Sequence, residues 1–448
     1  MLLKNTIPIL LLLFSVTLTA QNGLSLTLDE AVQYAYDNNL TIRNAQIAIA
    51  DAEQQILERR AVGLPQVNGE VGFNRYLQLP VQILPDLFVD GARDPVTGEL
   101  PEGFSREVSF VLRNSFTAGA TLSGLIYDGS YNVAVKAARR FREYVRQDLE
   151  VRKRSVRDQV MDAYLPSLLL VESLNTLDKN ITNLEKLFFE TQQLYKEGFV
   201  EQLDVDRLEL SIANLKTERD NLVRQQEVAA NALKLAMGFP IEKPLTVTDN
   251  IDAILVSATG EELTSDIDYT LRPQYNLINK GLELNQLNID VNRAGYLPSL
   301  SGFLSYQQQW LGDNFNDGFW VPNSVVGLQL NVPIFDGFAK KSKIERARLD
   351  METVQNQKRD YERLVNFEVA NARTQYLSAQ ERLKNQRRNL ELARRIYNTS
   401  EIKYREGVGS SVELTQAEQS LFETQQNLIQ AKYDLLSAKI KLDQALGK

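Results

Sequence analysis

The chain is one unit written twice, and that duplication limits its folds more than any other feature. Tyr195-Lys-Glu-Gly198 aligns with Tyr404-Arg-Glu-Gly407, and the match runs without gaps to Met237-Gly238 and Leu446-Gly447 at a constant offset of 209, with 9 of 44 positions identical. Ile126-Tyr127-Asp128-Gly129 repeats as Ile334-Phe335-Asp336-Gly337 at offset 208, and Arg60-Ala-Val-Gly-Leu-Pro65 as Arg293-Ala-Gly-Tyr-Leu-Pro298 at offset 233. Three anchors in the same order make each half one structural unit. The Leu-Pro and Asp-Gly anchors lie 63 residues apart in the first copy and 38 in the second, so the first carries 25 extra residues. They fall in Pro80 to Phe104, whose prolines and glycines read as a long loop.

Each unit changes its hydrophobic period in the same sequence. Leu28 to Val62 is helical in composition, and its counterpart begins after Leu271-Arg272-Pro273. Beyond Pro65, Val67, Gly69, Val71 and Phe73 alternate with Asn68, Glu70, Gly72 and Asn74, the two-residue period of a strand. Phe110, Leu112, Phe116, Ala118, Ala120 and Leu122 follow the same period, as do Leu300, Leu304, Tyr306 and Trp310, and then Val326, Leu328, Leu330 and Val332. Four strands are expected, at about 66–79, 107–126, 299–311 and 324–335, each with one apolar and one largely polar face.

Long helices should follow. Pro166 is the one breaker between Ser130 and Glu197, so a helix over 130–197, about 100 Å long at 1.5 Å per residue, is implied, with a kink at the proline. Its partner spans 201–237, and the second copy gives 338–406 and 411–446. Leu414, Ala417, Leu421, Thr424, Leu428, Ala431, Leu435, Ala438, Leu442 and Ala445 follow strict 3,4 spacing, a heptad seam that predicts left-handed coiled-coil packing. The expected class is mainly α with a small β part. Residues 21–238 form the first repeat and 239–448 the second.

The amino terminus reads as a secretion signal over 1–20: Lys4, an apolar run from Ile7 to Val16, then Ala20 before Gln21. No other stretch approaches 18 apolar residues, so a mature chain that spans lipid must do so with β-strands. Four strands cannot close a barrel around a lumen, so several chains must pool theirs. Trp310, Phe315, Phe319 and Trp320 cluster in the second strand pair, where an interfacial aromatic girdle would lie.

Composition removes whole classes of chemistry. The chain of 448 residues has no cysteine and no histidine, which excludes thiolate or imidazole catalysis, Cys/His zinc sites and disulfides. With 50 basic against 58 acidic residues the net charge is −8, which argues against a nucleic-acid partner.

In the order and spacing of these motifs the chain resembles the TolC-like outer-membrane efflux proteins. The residues that carry the likeness are the Leu-Thr-Leu-Asp-Glu-Ala opening at Leu26 to Ala31, Leu271-Arg272-Pro273, the two Leu-Pro strand entries, the two Asp-Gly exits and the two Tyr-x-x-Gly helix tips. The resemblance implies a homotrimer in outer-membrane lipid whose 12 strands form one barrel, continued by a periplasmic α-helical tunnel. It implies a passive exit duct that docks onto a periplasmic adaptor and an inner-membrane transporter, with no cofactor, metal or catalytic residue. Lipidated members carry an N-terminal cysteine, so this chain resembles the unlipidated kind.

The tips carry the candidate sites. Gly198 and Gly407 end the ascending helices, and Asp204 and Glu413 open the descending ones at equivalent positions. Carboxylates there favour the helix dipole by about 0.3 to 1 kcal/mol. The family likeness further implies that they line the closed periplasmic aperture, where three copies would focus a negative potential. Some members carry an arginine where this chain has Gly409, and Arg405 is the substitute or an adaptor-facing charge.

Two other readings compete with this one. Asp204, Asp206 and Glu209 imitate a glycosidase pair and Ser400 and Lys403 fit a Ser-x-x-Lys spacing, both short patterns on a charged helix, while Gly337 to Ser342 faintly resembles a phosphate loop but lacks the required glycines. The other is a soluble periplasmic coiled-coil scaffold or adaptor, against which the four alternating strands and their aromatics count.

Overall fold

The computed structural model describes residues 24–83, 93–101, 107–256 and 266–448. The expected secretion signal and about half of the expected loop insertion, Phe104 included, lie outside the described residues. In chain order the elements are β1 (Leu24–Leu26), α1 (Leu28–Asn38), α2 (Leu40–Ala61), β2 (Gln66–Arg75), β3 (Gln82–Ile83), β4 (Glu107–Val108), β5 (Asn114–Asp128), α3 (Gly129–Lys196), α4 (Gln202–Met237), β6 (Leu245–Val247), α5 (Ile251–Val256), α6 (Pro273–Ala294), β7 (Ser299–Gly312), β8 (Phe319–Asn331), α7 (Ala339–Arg405) and α8 (Ser411–Leu446). They fall into two compact units, Met1–Ile47 with Gln147–Leu277 and Arg359–Lys448, and Ala48–Arg146 with Ile278–Lys358. Each sequence repeat contributes to both units.

The first unit is helical. Thr27 opens α1 with a reciprocal cap: the Glu30 carboxylate accepts the Thr27 N–H at 2.8 Å, and the Thr27 hydroxyl accepts the Glu30 N–H. One helix was expected over Leu28 to Val62, but Asn39 breaks it. Asn39 is extended, its Oδ1 accepts the Thr41 N–H at 2.8 Å, and its amide donates to the Ala236 carbonyl at 2.9 Å. The side chain thus caps α2 while tying it to the end of α4. Beside it β1 pairs in parallel with β6. The buried Tyr164 hydroxyl on α3 donates to the Asp249 carboxylate at 2.8 Å, and the same carboxylate accepts the Leu28 N–H at 2.7 Å. Leu26, Ala31, Val160, Leu233, Met237 and Leu436 complete this core.

A second core fills the seam between α7 and α8, where Val365, Val369, Ala372 and Tyr376 meet Ala431, Leu435, Ala438 and Leu442. Both helices contribute large and small residues to this seam. Arg272 gives the Leu-Arg-Pro motif its physical content. The buried guanidinium donates to the Ala445 carbonyl through Nε at 3.1 Å and to Glu368 at 2.8 Å, so it satisfies the end of α8. The α3 assignment runs through Pro166 without interruption.

The second unit carries an antiparallel sheet of order β2-β5-β7-β8. β8 starts at Phe319 rather than near 324 and includes Pro322 opposite Gln308. An edge strand tolerates a proline because the missing N–H can fall on its open side. β5 starts at Asn114 rather than 107, so Phe110 and Leu112 lie outside it, and β2 ends at Arg75 rather than 79. β3 and β4 form a short separate ladder, so the expected loop is not wholly irregular. Ile126 is an extra residue in β5 between Leu125 and Tyr127, a bulge next to the strand's exit. Among the described residues no helix is long and apolar enough to cross a membrane.

Candidate functional site

Register assigns every strand residue of the large sheet to one of two faces, because side chains alternate along a strand and directly paired residues share a face. One face holds Val67, Val71 and Phe73 of β2, Phe116, Ala118, Ala120 and Leu122 of β5, Leu304, Tyr306 and Trp310 of β7, and Trp320, Val326, Leu328 and Leu330 of β8. The other holds Asn68, Glu70, Asn74, Ser115, Thr117, Thr121, Ser305, Gln307, Gln309, Asn323 and Gln329. Val67, Val71, Val326 and Leu328 are strongly exposed, so the apolar face is not covered within the chain. An uncovered apolar face of this size needs a partner or lipid.

Near the β7–β8 turn the apolar face ends in a row of four aromatics. Phe73 pairs with Phe116, Phe116 with Trp310, and Trp310 with Trp320, one from each strand. Phe315, from the turn, stacks on both Phe73 and Trp310 with centroids 6.0 Å apart, and Phe116 meets Trp320 edge-on at 6.0 Å. The structure brings Trp310, Phe315 and Trp320 together at this end of the sheet. Phe319 is a correction: it pairs with Leu311, one residue out of phase with Trp320, and so belongs to the polar face. Sequence reading missed Phe73 and Phe116, which only the register reveals.

At the other end of the sheet the strand–helix junctions expose Tyr127, Tyr296, Phe335 and Phe338. Phe338 has φ 68, the one positive φ at a non-glycine among the described residues, and its ring meets Phe335 edge-on at 5.4 Å. Asp336 explains the Asp-Gly motif there. Its carboxylate accepts the Lys340 N–H at 3.0 Å and the ammonium at 3.1 Å, capping α7. Asp128 caps α3 in the same way through the Ser130 and Tyr131 N–H groups.

The helix tips lie in the first unit. Gly198 and Gly407 adopt φ 81 and 74, the left-handed conformation that ends a helix and favours glycine. The N–H of the following residue returns to the last turn in both copies, from Phe199 to Leu194 at 2.9 Å and from Val408 to Lys403 at 3.0 Å. Gly409 is glycine for a different reason: a Cβ there would lie 2.9 Å from Lys403 Cβ and 3.0 Å from the Tyr404 nitrogen.

Asp204 and Glu413 each occupy the third position of their helix. Asp204 accepts the Glu201 N–H at 3.2 Å and sits 3.7 Å from Arg207, while Glu413 lies 3.5 Å from Lys403 and its N–H is capped by Ser410 at 3.2 Å. The Asp204 carboxylate thus caps the start of its helix, whereas the Glu413 carboxylate pairs with Lys403. Arg405 is shared between Glu190 and Glu401, each at 3.0 Å. Burial raises the Tyr404 phenol, and the negative charge of Asp204 adds to the shift. The catalytic alternative loses its geometry, since Asp206 is bonded to Gln202 and Lys403 to Glu413.

The tips also present an apolar set that sequence reading missed. Phe199 and Val408 are each 77% exposed, and Leu203 and Val412 are exposed one turn on. These are equivalent pairs at offset 209, so the repeat alignment held the signal.

The family model "Outer membrane efflux protein" matches residues 31–239 and 279–448. The pyoverdine export outer membrane protein OpmQ of Pseudomonas aeruginosa is 22% identical over 422 residues, covering 94% of this chain and 85% of that one. The probable efflux pump outer membrane protein TtgC of Pseudomonas putida is 25% identical over 330 residues, 67% of this chain and 66% of that one. Among solved structures, the Campylobacter jejuni CmeC outer membrane channel aligns with TM-score 0.70 at 17% identity over 94% of this chain and 85% of that one. CusC aligns with TM-score 0.69 at 19% identity over 94% and 92%. The chain belongs to the outer membrane efflux protein family, whose members are outer-membrane channel proteins and not enzymes.

Proposed function

We propose that three copies of this chain close one 12-stranded barrel in the outer membrane and continue it as a helical duct in the periplasm, a passive exit path for an efflux or secretion system. The observation that carries this reading is the four-stranded sheet itself. It is too narrow to close, it keeps an uncovered apolar face, and its two edges, β2 and β8, each pair on one side only. Pairing the β8 edge of one copy with the β2 edge of the next removes both problems at once. Phe116 and Tyr127 are 11 residues apart on β5, about 36 Å along a strand and roughly 28 Å of depth at a 40° tilt, which suits a hydrocarbon core between two aromatic belts.

In this reading residues 1–20 direct secretion and are removed. Asp204 and Glu413 ring the closed periplasmic aperture. Gly198, Gly407, Gly409 and Arg405 shape the tips, whose exposed Phe199, Leu203, Val408 and Val412 meet a periplasmic adaptor. An inner-membrane transporter supplies the energy for export. Light scattering of the purified mature protein tests the assembly: a detergent-dependent particle of three chains is expected, and a detergent-free monomer would restore the soluble-scaffold reading.

A further inference from the structure

The polar face of the sheet is not uniform. Its β2 and β5 half carries Gln66, Asn68, Glu70, Gly72 and Asn74, then Ser115, Thr117, Gly119, Thr121 and Ser123, with Leu125 near the strand's exit as its one large apolar side chain. Its β7 and β8 half carries Phe303, Leu311, Phe319, Val321 and Val325 among glutamines, serines and asparagines. These five are continuous. Leu311 pairs directly with Phe319, Val321 and Val325 follow along β8 on either side of Asn323, and the Phe303 ring covers Gly327, where a Cβ would lie 2.6 Å from the ring. The stripe from Phe319 to Gly327 is about 27 Å long at 3.3 Å per residue. Phe319, Val321 and Val325 are all substantially exposed.

Packing within the chain does not account for this stripe, because the side chains beside it on the same face are Gln309, Ser305 and Gln307. Glu70 and Asp128 are the two formal charges on this face in the four strands, and Asp128 is engaged in capping α3. If the sheets close edge to edge, β8 of one copy lies about 4.8 Å from β2 of the next, so the apolar stripe and the strand bearing Glu70 become neighbours. A wall that offers apolar contact, amide and hydroxyl groups and the Glu70 carboxylate suits a solute with an apolar body and a positive charge.

We propose that Phe319, Val321, Val325, Leu311 and Phe303 form an apolar contact strip inside the barrel for amphipathic organic cations. The inference rests on the channel reading, since it needs the polar face to be the lumen. A transported molecule that touches the strip exchanges apolar surface with it at each step and leaves by sliding to the next side chain. Small inorganic ions gain nothing from such a surface.

Single-channel recording of the purified protein in planar bilayers tests it, with tetraphenylphosphonium as probe and tetramethylammonium as a cation of the same charge with little apolar surface. Tetraphenylphosphonium should produce resolvable blocks and tetramethylammonium should not. The double substitution Val321→Thr and Val325→Thr keeps side-chain shape and should shorten the blocks about tenfold at unchanged conductance. Ser305→Val, which widens the strip, should lengthen them, and Val326→Thr on the opposite face should leave them alone. Blocks unaffected by both polar-face changes, in channels of normal conductance, would overturn the strip while leaving the channel reading intact. A wild-type protein that conducts nothing would overturn both.

Discussion

The Arg207 guanidinium donates to the Ser411 hydroxyl at 2.6 Å, joining the second turn of α4 to the first turn of α8. Ser411 is buried, and the same guanidinium lies 3.7 Å from Asp204, so one cation links the starts of both descending helices. A hydrogen bond from a charged donor contributes about 1.5 to 3 kcal/mol when its partner is buried. Arg207→Ala should therefore loosen the two tips from each other and raise the current at low voltage in bilayer recordings, with Arg207→Lys intermediate. A closed-state current equal to wild type in Arg207→Ala would remove the residue from any role in holding the tips.

The strands and long helices were legible because they rest on period: Val67, Val71 and Phe73 need only their own strand, and the seam from Leu414 to Ala445 needs only its own helix. What sequence could not supply was register. Phe319 and Trp320 are adjacent, so a girdle read from composition takes both, whereas pairing with Leu311 and Trp310 sends them to opposite faces. Phe73 and Phe116 join the row only through partners far away in sequence. The pairing of Leu24–Leu26 with Leu245–Val247 was invisible for a similar reason, since three-residue strands carry no period. At the tips the spacing located Asp204 and Glu413, but the caps and ion pairs that hold them depend on side-chain geometry.

Glu418 was missed because it stands at an ordinary position of a charged helix. It lines a cavity of about 50 Å³ with Asn180, Asn183, Tyr397 and Gln425, and its Oε2 is buried without a hydrogen-bond partner. Burial pushes its carboxyl up to about 7 from 4.5. A carboxyl with a raised folded pKa is protonated in the folded state and ionised in the unfolded state between those values. It therefore removes stability as pH rises from about 4.5 to about 7, on the order of 3 kcal/mol in all, and the loss is complete above that window. Glu418→Gln should raise the melting temperature at pH 8 and change it far less at pH 4. An equal shift at both pH values would show that the carboxyl does not titrate in this way.

Tyr164 joins α3 to the β1–α1 segment and to the stretch between the repeats. Its hydroxyl lies 3.1 Å from the Leu26 carbonyl and donates to Asp249 at 2.8 Å, and burial together with that carboxylate raises the phenol pKa. Tyr164→Phe keeps the ring in the core but leaves Asp249 with the Leu28 N–H as its remaining strong donor. The expected cost is about 1 to 3 kcal/mol, read as a lower denaturant midpoint at unchanged slope. A midpoint within experimental scatter of wild type would mean that water replaces the phenol there.

The two tryptophans make the face assignment directly measurable, since the sequence contains no others. Trp310 and Trp320 are register partners on the apolar face, so both indoles should lie against lipid near one surface of the bilayer. In vesicles of brominated phospholipid their fluorescence should be quenched strongly, and acrylamide in the water should reach them poorly. Phe319 supplies the contrast because it is next to Trp320 and faces the other way. Placing Phe319→Trp in a background of Trp310→Phe and Trp320→Phe moves the fluorophore by one residue, from the lipid face to the polar face. That variant should resist bromolipid and yield to acrylamide. If bromolipid quenches it as strongly as wild type, the two faces of the sheet do not separate lipid from water, and the barrel reading fails with them.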